Sequence, residues 1–71
     1  MNKQAIKKVL ITGANGFIGG TLMRYYQNQG QDVIGVDLVG NGADILEGDI
    51  SQPHTISHLL KECDVIVHTA A

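Results

Sequence analysis

The feature that most constrains the fold of this chain is an apolar run that leads directly into three evenly spaced glycines. The run is Val9 to Ile11, which has no polar side chain, as expected for a strand covered on both faces. Gly13, Gly16 and Gly19 then follow at intervals of three residues. A strand, a glycine-rich turn and a helix in this order present backbone N–H groups and a positive helix end to a phosphate. A tight turn that binds no ligand is the alternative explanation.

The helix expected after the turn has an apolar face made by four side chains. They recur at i, i+4, i+7 and i+8 and are Ile18, Leu22, Tyr25 and Tyr26. This spacing predicts that one side of the helix packs against the rest of the protein. Gly30 then supplies a stop for the helix.

Three more strands are predicted from runs that each begin at an aspartate. They are Asp32–Asp37, a short Asp44–Asp49, and Asp64–Ala70, which is apolar throughout. A second helix is expected between the last two of these strands. The predicted order is β-α-β-β-α-β, which indicates an α/β fold with a parallel sheet.

The second helix is expected within residues 51–63. Ser51 is a candidate cap, and Pro53 suits the first turn of a helix. Cys63 is the single cysteine, so it cannot form an internal disulfide, and we expect it to be a small core residue at the helix end. The expected buried face consists of Ile56, Leu59 and Leu60.

The connection between the second and third strands is unusually short. It consists of residues 38–43, whereas a parallel crossover takes about a dozen residues or more and usually contains a helix. Six residues span roughly 20 Å, enough for an extended return along a short strand. We expect Gly40 and Gly42 to take the turns. An antiparallel third strand would also explain the short connection, although the alternation with helices favours a parallel one.

Composition and charge exclude several classes of function. Apolar residues make up 44% of the 71 residues and charged residues 17%, which is typical of an ordered globular segment. A net charge of −2 gives no broad basic surface, so nucleic-acid binding is not expected. No apolar run approaches the length of about 20 residues needed to cross a membrane. The chain is therefore predicted to be cytoplasmic.

An acidic residue follows the glycine turn at an informative distance. Asp37 ends the second strand, 18 residues after Gly19, close to the offset of about 20 at which an acid binds an adenosine ribose. The next residues, Leu38 and Val39, offer no cation for a 2′-phosphate, so NAD is favoured over NADP. A solvated acid at a strand end is the alternative for Asp37.

Four short motifs together resemble one known family. They are TGANGFIG (Thr12 to Gly19), GVD (Gly35 to Asp37), GDI (Gly48 to Ile50) and VIVHTAA (Val65 to Ala71). These are similar to successive cofactor motifs of the extended short-chain dehydrogenase/reductase family, which includes NAD-dependent epimerases and dehydratases. That family has a T-G-x-x-G-x-x-G motif, and the resemblance covers nearly the whole chain from Lys8 onward.

The resemblance implies a fold and a set of cofactor contacts. Residues 8–71 would be the amino-terminal half of an NAD-binding Rossmann domain, a doubly wound parallel sheet left incomplete, preceded by a polar start at residues 1–7. Phe17 and Ile18 would contact the pyrophosphate through their backbone, and Asp37 would hold the adenosine ribose. Asp49 and Ile50 would flank the adenine. The implied cofactor-binding residues are Gly13, Gly16, Phe17, Ile18, Gly19, Asp37, Asp49, Ile50, Thr69, Ala70 and Ala71.

The three histidines and two tyrosines carry weaker signals. His68 is the histidine of the family's H-x-A-A pattern, and two alternatives remain for it: a proton-transfer role, or a structural role as a satisfied residue at a strand end. His54 and His58 have a helical metal-binding spacing without a third ligand, so an exposed helix face is expected. Tyr25 and Tyr26 are not followed by the lysine of a Tyr-x-x-x-Lys pair, so we expect them to pack in the helix.

The resemblance implies that catalysis requires residues outside this sequence. The family's hydride transfer uses a tyrosine, a lysine and a serine or threonine, and none of these can be assigned here. We therefore expect the chain to be part of a longer oxidoreductase, epimerase or dehydratase that acts on a nucleotide sugar. A hydroxysteroid-dehydrogenase-like enzyme and a non-catalytic dinucleotide sensor or scaffold are the alternatives. The expected partner is a small-molecule substrate, and the sequence carries no signal for an oligomeric state.

Overall fold

The computed structural model describes residues 8–69 and shows a four-stranded sheet with helices on both faces. The predicted polar start, residues 1–7, and two predicted cofactor residues, Ala70 and Ala71, lie outside the described residues. The elements in chain order are β1 (Val9–Thr12), α1 (Phe17–Asn28), β2 (Val33–Asp37), β3 (Ile45–Glu47), a 3-10 helix (Pro53–Ile56), α2 (Ser57–Glu62) and β4 (Val65–His68).

All pairings in the sheet are parallel, and the strand order is β3-β2-β1-β4. The predicted α/β class and β-α-β-β-α-β order are confirmed, and β3 takes the parallel direction. Residue Thr12 at the end of β1 pairs with Val36 on one side and His68 on the other. The carboxyl ends of the three strands therefore meet at one edge of the sheet.

The short connection to β3 is held by close backbone contacts and one side chain. Gly42 has a φ of 76°, a left-handed conformation that favours glycine. A Cβ on Gly40 would lie 2.6 Å from the Ile45 carbonyl oxygen, so only glycine fits there. The side-chain oxygen of Asn41 accepts hydrogen bonds from the N–H groups of Ala43 and Ile45, both 2.9 Å. The predicted turn at Gly42 is thus confirmed, whereas Gly40 lies outside any turn and is required by its close contact with the backbone of β3.

The core has two halves because alternate residues of β1 face opposite sides of the sheet. Val9 and Ile11 pack on the α1 side with Ala14, Met23 and Ile45. On the other side, a second buried cluster consists of Leu10, Val36, Ile56 and Leu59. All four residues of β1 are buried, which confirms the expectation of a strand covered on both faces.

The predicted buried face of α1 is wrong at two of its four positions. Ile18 is 65% exposed and Tyr25 is 56% exposed. The helix instead buries Gly19 and Met23, with Leu22 and Tyr26 half-buried beside them. The reason is steric: Gly19 has no side chain, so the helix approaches the turn most closely there, and its buried face is rotated by about one position.

The segment around α2 matches the sequence prediction except at its start. Pro53 lies in the first turn, Ile56 and Leu59 are buried, and Leu60 is half-buried. Ser51 is not a cap, because neither the 3-10 helix nor α2 has a side-chain cap and the Ser51 hydroxyl instead donates to Asp49.

The half-buried Cys63 ends α2, as the sequence predicted. Its side chain packs against the Leu10 cluster on the α2 side of the sheet. Burial raises the pKa of its thiol, and the nearby Lys8 offsets part of that rise. A thiol with a raised pKa is a poor nucleophile, which agrees with a structural position in the core.

Strand β4 lies at an edge of the described sheet and is less buried than β1. Val65 and Val67 are half-buried against the α1 side, whereas Ile66 is 49% exposed on the other. Residues 65–68 are therefore covered mainly on the α1 side, unlike the fully buried β1. Ile66 points to the α2 side of the sheet, because alternate residues of a strand face opposite sides.

Candidate functional site

A cleft of about 620 Å³ lies at the carboxyl edge of the sheet. Open α/β sheets bind ligands at this edge, where the loops that follow neighbouring strands diverge. Six of the predicted cofactor-binding residues come together in its wall. The lining residues are Gly13, Gly16, Val36, Asp37, Leu38, Gly48, Asp49, Ile50, Ser51 and Thr69.

The glycine turn forms one wall of the cleft and uses each glycine differently. Gly13 has a φ of 70°, which turns the chain sharply off β1. The Gly16 N–H donates to the Gly13 carbonyl oxygen at 3.0 Å, and a Cβ on Gly16 would lie 3.3 Å from that oxygen. Gly19 is buried behind the turn, where a Cβ would lie 2.7 Å from the Gly13 carbonyl carbon. Gly19 therefore sets the helix-to-turn distance and does not line the cleft.

The amino end of α1 is open to an anion. Its N-cap is Gly16, which has no side chain to cap the helix, and the first turn contains no acidic residue. The N–H groups of Phe17, Ile18 and Gly19 have no partner within the helix, because they belong to its first turn. The side chains of Phe17 and Ile18 are 91% and 65% exposed and do not line the cleft. Any contribution of these two residues to the cleft comes from their backbone.

Asp37 is held in place by two backbone N–H groups. One carboxylate oxygen accepts from Asn15 at 2.9 Å and the other from Leu38 at 2.7 Å. The Asn15 side chain also donates to the Val39 carbonyl oxygen at 3.2 Å. Among the described residues that line the cleft there is no lysine or arginine. The carboxylate therefore faces the cleft with a fixed orientation and with acceptor capacity left on both oxygens.

The loop after β3 forms the opposite wall. The Asp49 carboxylate accepts hydrogen bonds from the Ser51 hydroxyl at 2.7 Å and the Ser51 N–H at 2.9 Å, and these two bonds lower the pKa of Asp49. Gly48 lies against Ile56, where a Cβ would approach the Ile56 Cγ2 to 2.7 Å. The ionised Asp49 is therefore presented at the cleft by a loop that packs tightly on the 3-10 helix.

Thr69, which follows β4, reaches back to the glycine turn. Its hydroxyl donates to the Thr12 carbonyl oxygen at 2.6 Å and lies 3.3 Å from the Gly13 carbonyl oxygen. The Nδ1 atom of the neighbouring His68 lies 2.7 Å from the Thr12 hydroxyl. His68 is therefore a hydrogen-bonded residue at a strand end, one of the two alternatives that the sequence left open.

Two site residues were missed by the sequence reasoning. Asn15 contacts Asp37 and Val39 across 22 and 24 residues of chain, a relationship with no local signal. Ser51 does have a local sequence signal, because a serine two residues after an aspartate commonly donates a hydrogen bond to the carboxylate of that aspartate. The interpretation of Ser51 as a helix cap concealed that signal.

Other candidate features do not form a site within residues 8–69. His54 and His58 are both exposed, and that part of the chain contains no group of three or more metal-ligating side chains. None of its helices is long and apolar enough to cross a membrane.

The parallel strand order and the glycine turn at the amino end of α1 together define a Rossmann-type α/β unit. Residues 9–71 match the NAD dependent epimerase/dehydratase family, and the chain belongs to that family. The extended short-chain family resemblance drawn from the sequence is confirmed.

Two solved structures resemble the chain over most of its length. One is a short-chain dehydrogenase/reductase superfamily protein from Agrobacterium tumefaciens with bound NAD, with a TM-score of 0.78 and 26% identity over 90% of this chain and 20% of that one. The other is a dTDP-glucose 4,6-dehydratase from Bacillus anthracis in complex with NAD, with a TM-score of 0.74 and 28% identity over 92% of this chain and 27% of that one. The chain thus spans about a fifth to a quarter of the length of these proteins.

Proposed function

We propose that residues 8–71 form the amino-terminal half of an NAD-binding domain in an oxidoreductase, epimerase or dehydratase. The observation that carries this proposal is the convergence of the glycine turn, Asp37 and Asp49 on one cleft. Each comes from a different strand end, and each has the chemistry that one part of a dinucleotide requires. Membership of an NAD-dependent family and the NAD bound in two similar structures support the proposal.

The described residues fit a dinucleotide. The pyrophosphate would lie at the amino end of α1, where the absence of a Cβ on Gly16 leaves the backbone accessible and no acid opposes its charge. The Asp37 carboxylate would accept hydrogen bonds from the hydroxyls of the adenosine ribose. Asp49 and Ile50 would flank the adenine, with the carboxylate accepting from its exocyclic amine. Thr69, Ala70 and Ala71 would pass close beneath the nicotinamide-side ribose and phosphates, where small side chains leave room.

NAD is favoured over NADP because a 2′-phosphate would be brought against the Asp37 carboxylate. Hydrogen bonds from the N–H groups of Asn15 and Leu38 fix the orientation of that carboxylate, so it does not rotate away from a 2′-phosphate. Neither Leu38 nor Val39 can pair with a phosphate. The like charges would therefore repel one another at short range.

When bound, NAD would supply or accept a hydride in the reaction of the full-length protein. The residues of this chain bind and orient it, and the groups that handle the substrate lie elsewhere. We propose a nucleotide sugar as the substrate class. The dTDP-glucose 4,6-dehydratase among the similar structures supports this choice.

The test is to measure the affinities of NAD and NADP for the full-length protein and its Asp37→Ala variant by calorimetry. Loss of a charged acceptor should weaken NAD binding by about tenfold to a hundredfold and reduce the preference for NAD over NADP. Glu62→Ala is the matched control, because it removes the same charge beside Lys8, outside the cleft. An unchanged NAD-to-NADP ratio in Asp37→Ala would contradict the ribose assignment.

The substrate class is tested separately by incubating the full-length protein and NAD with nucleotide sugars and with sterol alcohols. Turnover of a nucleotide sugar but not of a sterol is the expected result. The reverse result would contradict the nucleotide-sugar proposal without affecting the NAD site.

A further inference from the structure

The carboxyl ends of β1 and β4 are joined by more than the sheet. Thr69 donates twice to the Thr12 carbonyl oxygen, from its N–H at 3.2 Å and from its hydroxyl at 2.6 Å. The same hydroxyl lies 3.3 Å from the Gly13 carbonyl oxygen. One residue after β4 therefore contacts two successive carbonyl groups at the start of the glycine turn.

Neither carbonyl group depends on the Thr69 hydroxyl for a hydrogen-bond partner. The Gly13 oxygen also accepts from the Gly16 N–H at 3.0 Å, and the Thr12 oxygen also accepts from the Thr69 N–H. Removing the hydroxyl alone would leave both carbonyls paired, so its contribution is not the rescue of an unsatisfied group. What the hydroxyl adds is a second attachment, which restricts how the turn can rotate relative to β4.

That rotation matters because Gly13 is the point at which the chain leaves the sheet. With a φ of 70°, Gly13 directs its carbonyl group toward Gly16, and Gly16 is the N-cap of α1. The orientation of this peptide group therefore fixes where the first N–H groups of the helix point. A glycine has no side chain to restrict its own dihedral angles, so a restraint must come from outside the turn.

We propose that Thr69 is a positioning residue whose hydroxyl holds the glycine turn in the orientation that receives a pyrophosphate. The proposal rests on the NAD-binding function proposed above. It assigns to the Thr69 hydroxyl an action through Thr12 and Gly13, in addition to the place near the nicotinamide half that is proposed above for the residue as a whole.

The binding test compares Thr69→Val, which keeps the shape and loses the hydroxyl, with Thr69→Ser, which keeps the hydroxyl. The full-length protein is titrated with NAD, ADP and adenosine. Thr69→Val should weaken the binding of NAD and of ADP by the same factor, about three- to tenfold, and leave adenosine binding unchanged because adenosine has no phosphate. Thr69→Ser should keep the wild-type affinities. Thr55→Val is the matched control, because its hydroxyl donates to the Gln52 carbonyl oxygen at 2.9 Å, outside the cleft lining.

Two binding results would overturn the proposal. A loss of affinity confined to NAD, with ADP binding unaffected, would assign the hydroxyl to direct contact with the nicotinamide half. An equal loss for adenosine would assign the effect to general damage to the fold.

A second test uses the free protein and needs no ligand. Amide hydrogen exchange at residues 14–16 should be faster in Thr69→Val than in Thr69→Ser, while exchange in β2 stays the same. Equal exchange rates in the turn would overturn the inference. If the wild-type protein does not bind NAD, the proposed function fails, and this exchange measurement still decides whether Thr69 restrains the turn.

Discussion

The Asp37 carboxylate at the end of β2 accepts a hydrogen bond of 2.9 Å from the backbone N–H of Asn15 in the glycine turn. The Asn15 side chain makes a second contact with this segment by donating a hydrogen bond to the Val39 carbonyl oxygen at 3.2 Å. The pyrophosphate and ribose parts of the proposed site are therefore linked before any ligand binds. Such preorganisation reduces the conformational entropy lost on binding.

We predict that Asn15→Ala weakens NAD binding by about two- to fivefold, since it removes one exposed hydrogen bond and leaves the Asn15 N–H in place. Calorimetry on the full-length protein measures the change. Asn28→Ala, the same substitution at the exposed carboxyl end of α1, should bind NAD as the wild type does. An unaffected affinity in Asn15→Ala would show that the Asp37–Val39 segment holds its position without the side chain.

Two neighbouring glycines of α1 should respond to alanine in opposite directions. At Gly19 a Cβ would lie 2.7 Å from the Gly13 carbonyl carbon, so Gly19→Ala should destabilise the protein by about 1–3 kcal/mol. At Gly20 the nearest atoms are 3.5 Å and 3.7 Å away, so Gly20→Ala should stabilise the helix by up to about 1 kcal/mol. Urea unfolding of the full-length variants measures both. Equal effects at the two positions would contradict the close approach at Gly19.

The pair formed by Thr12 and His68 provides a double-mutant test. Thr12 is buried, and its hydroxyl lies 2.7 Å from the His68 Nδ1 atom. His68→Leu should destabilise the protein by about 1–3 kcal/mol, because it removes a hydrogen-bond partner from a buried hydroxyl. Adding Thr12→Val should recover part of this loss, since neither partner is then polar. Urea unfolding measures the free energy of unfolding of each variant. If the changes caused by the two single substitutions add up to that of the double variant, the residues are not coupled.

The carboxylate of Asp44 should make stability depend on pH. Hydrogen bonds from the side chains of Asn41 and Gln27 lower its pKa in the folded protein. A lowered pKa contributes stability that is fully present above the unfolded value of about 4 and is lost as the pH falls through the folded value. Asp44→Asn should therefore be less stable than the wild type at neutral pH, and the difference should disappear in strong acid. Urea unfolding at neutral pH and in strong acid measures the difference in stability between the two proteins. A difference that does not depend on pH would contradict the lowered pKa of Asp44.

Local patterns were sufficient to predict much of the fold. The continuous apolar run Val9 to Ile11 predicted a strand buried on both faces, and β1 is such a strand. Pro53 predicted the start of a helical segment, and the spacing of Ile56 and Leu59 predicted its buried side. These features could be predicted because helix and strand periods are properties of neighbouring residues.

The orientation of α1 could not be predicted in this way. Apolar spacing favoured Ile18 and Tyr25 as buried residues, but the helix turns Gly19 and Met23 toward the sheet. A glycine adds nothing to an apolar pattern, although here it determines the closest approach. Only the packed structure reveals that a position without a side chain can decide which face of a helix is buried.

For the candidate site, the sequence alone determined which types of group are present and at what spacing. The glycine turn, Asp37 and Asp49 were all recognisable from short motifs. Tertiary structure decided that these groups share one cleft, that Asn15 fixes Asp37, and that Thr69 reaches Thr12 and Gly13 across more than 50 residues of chain. The physical reason is that such contacts depend on strand order and register, which arise from burying both faces of the sheet at once and not from any local segment.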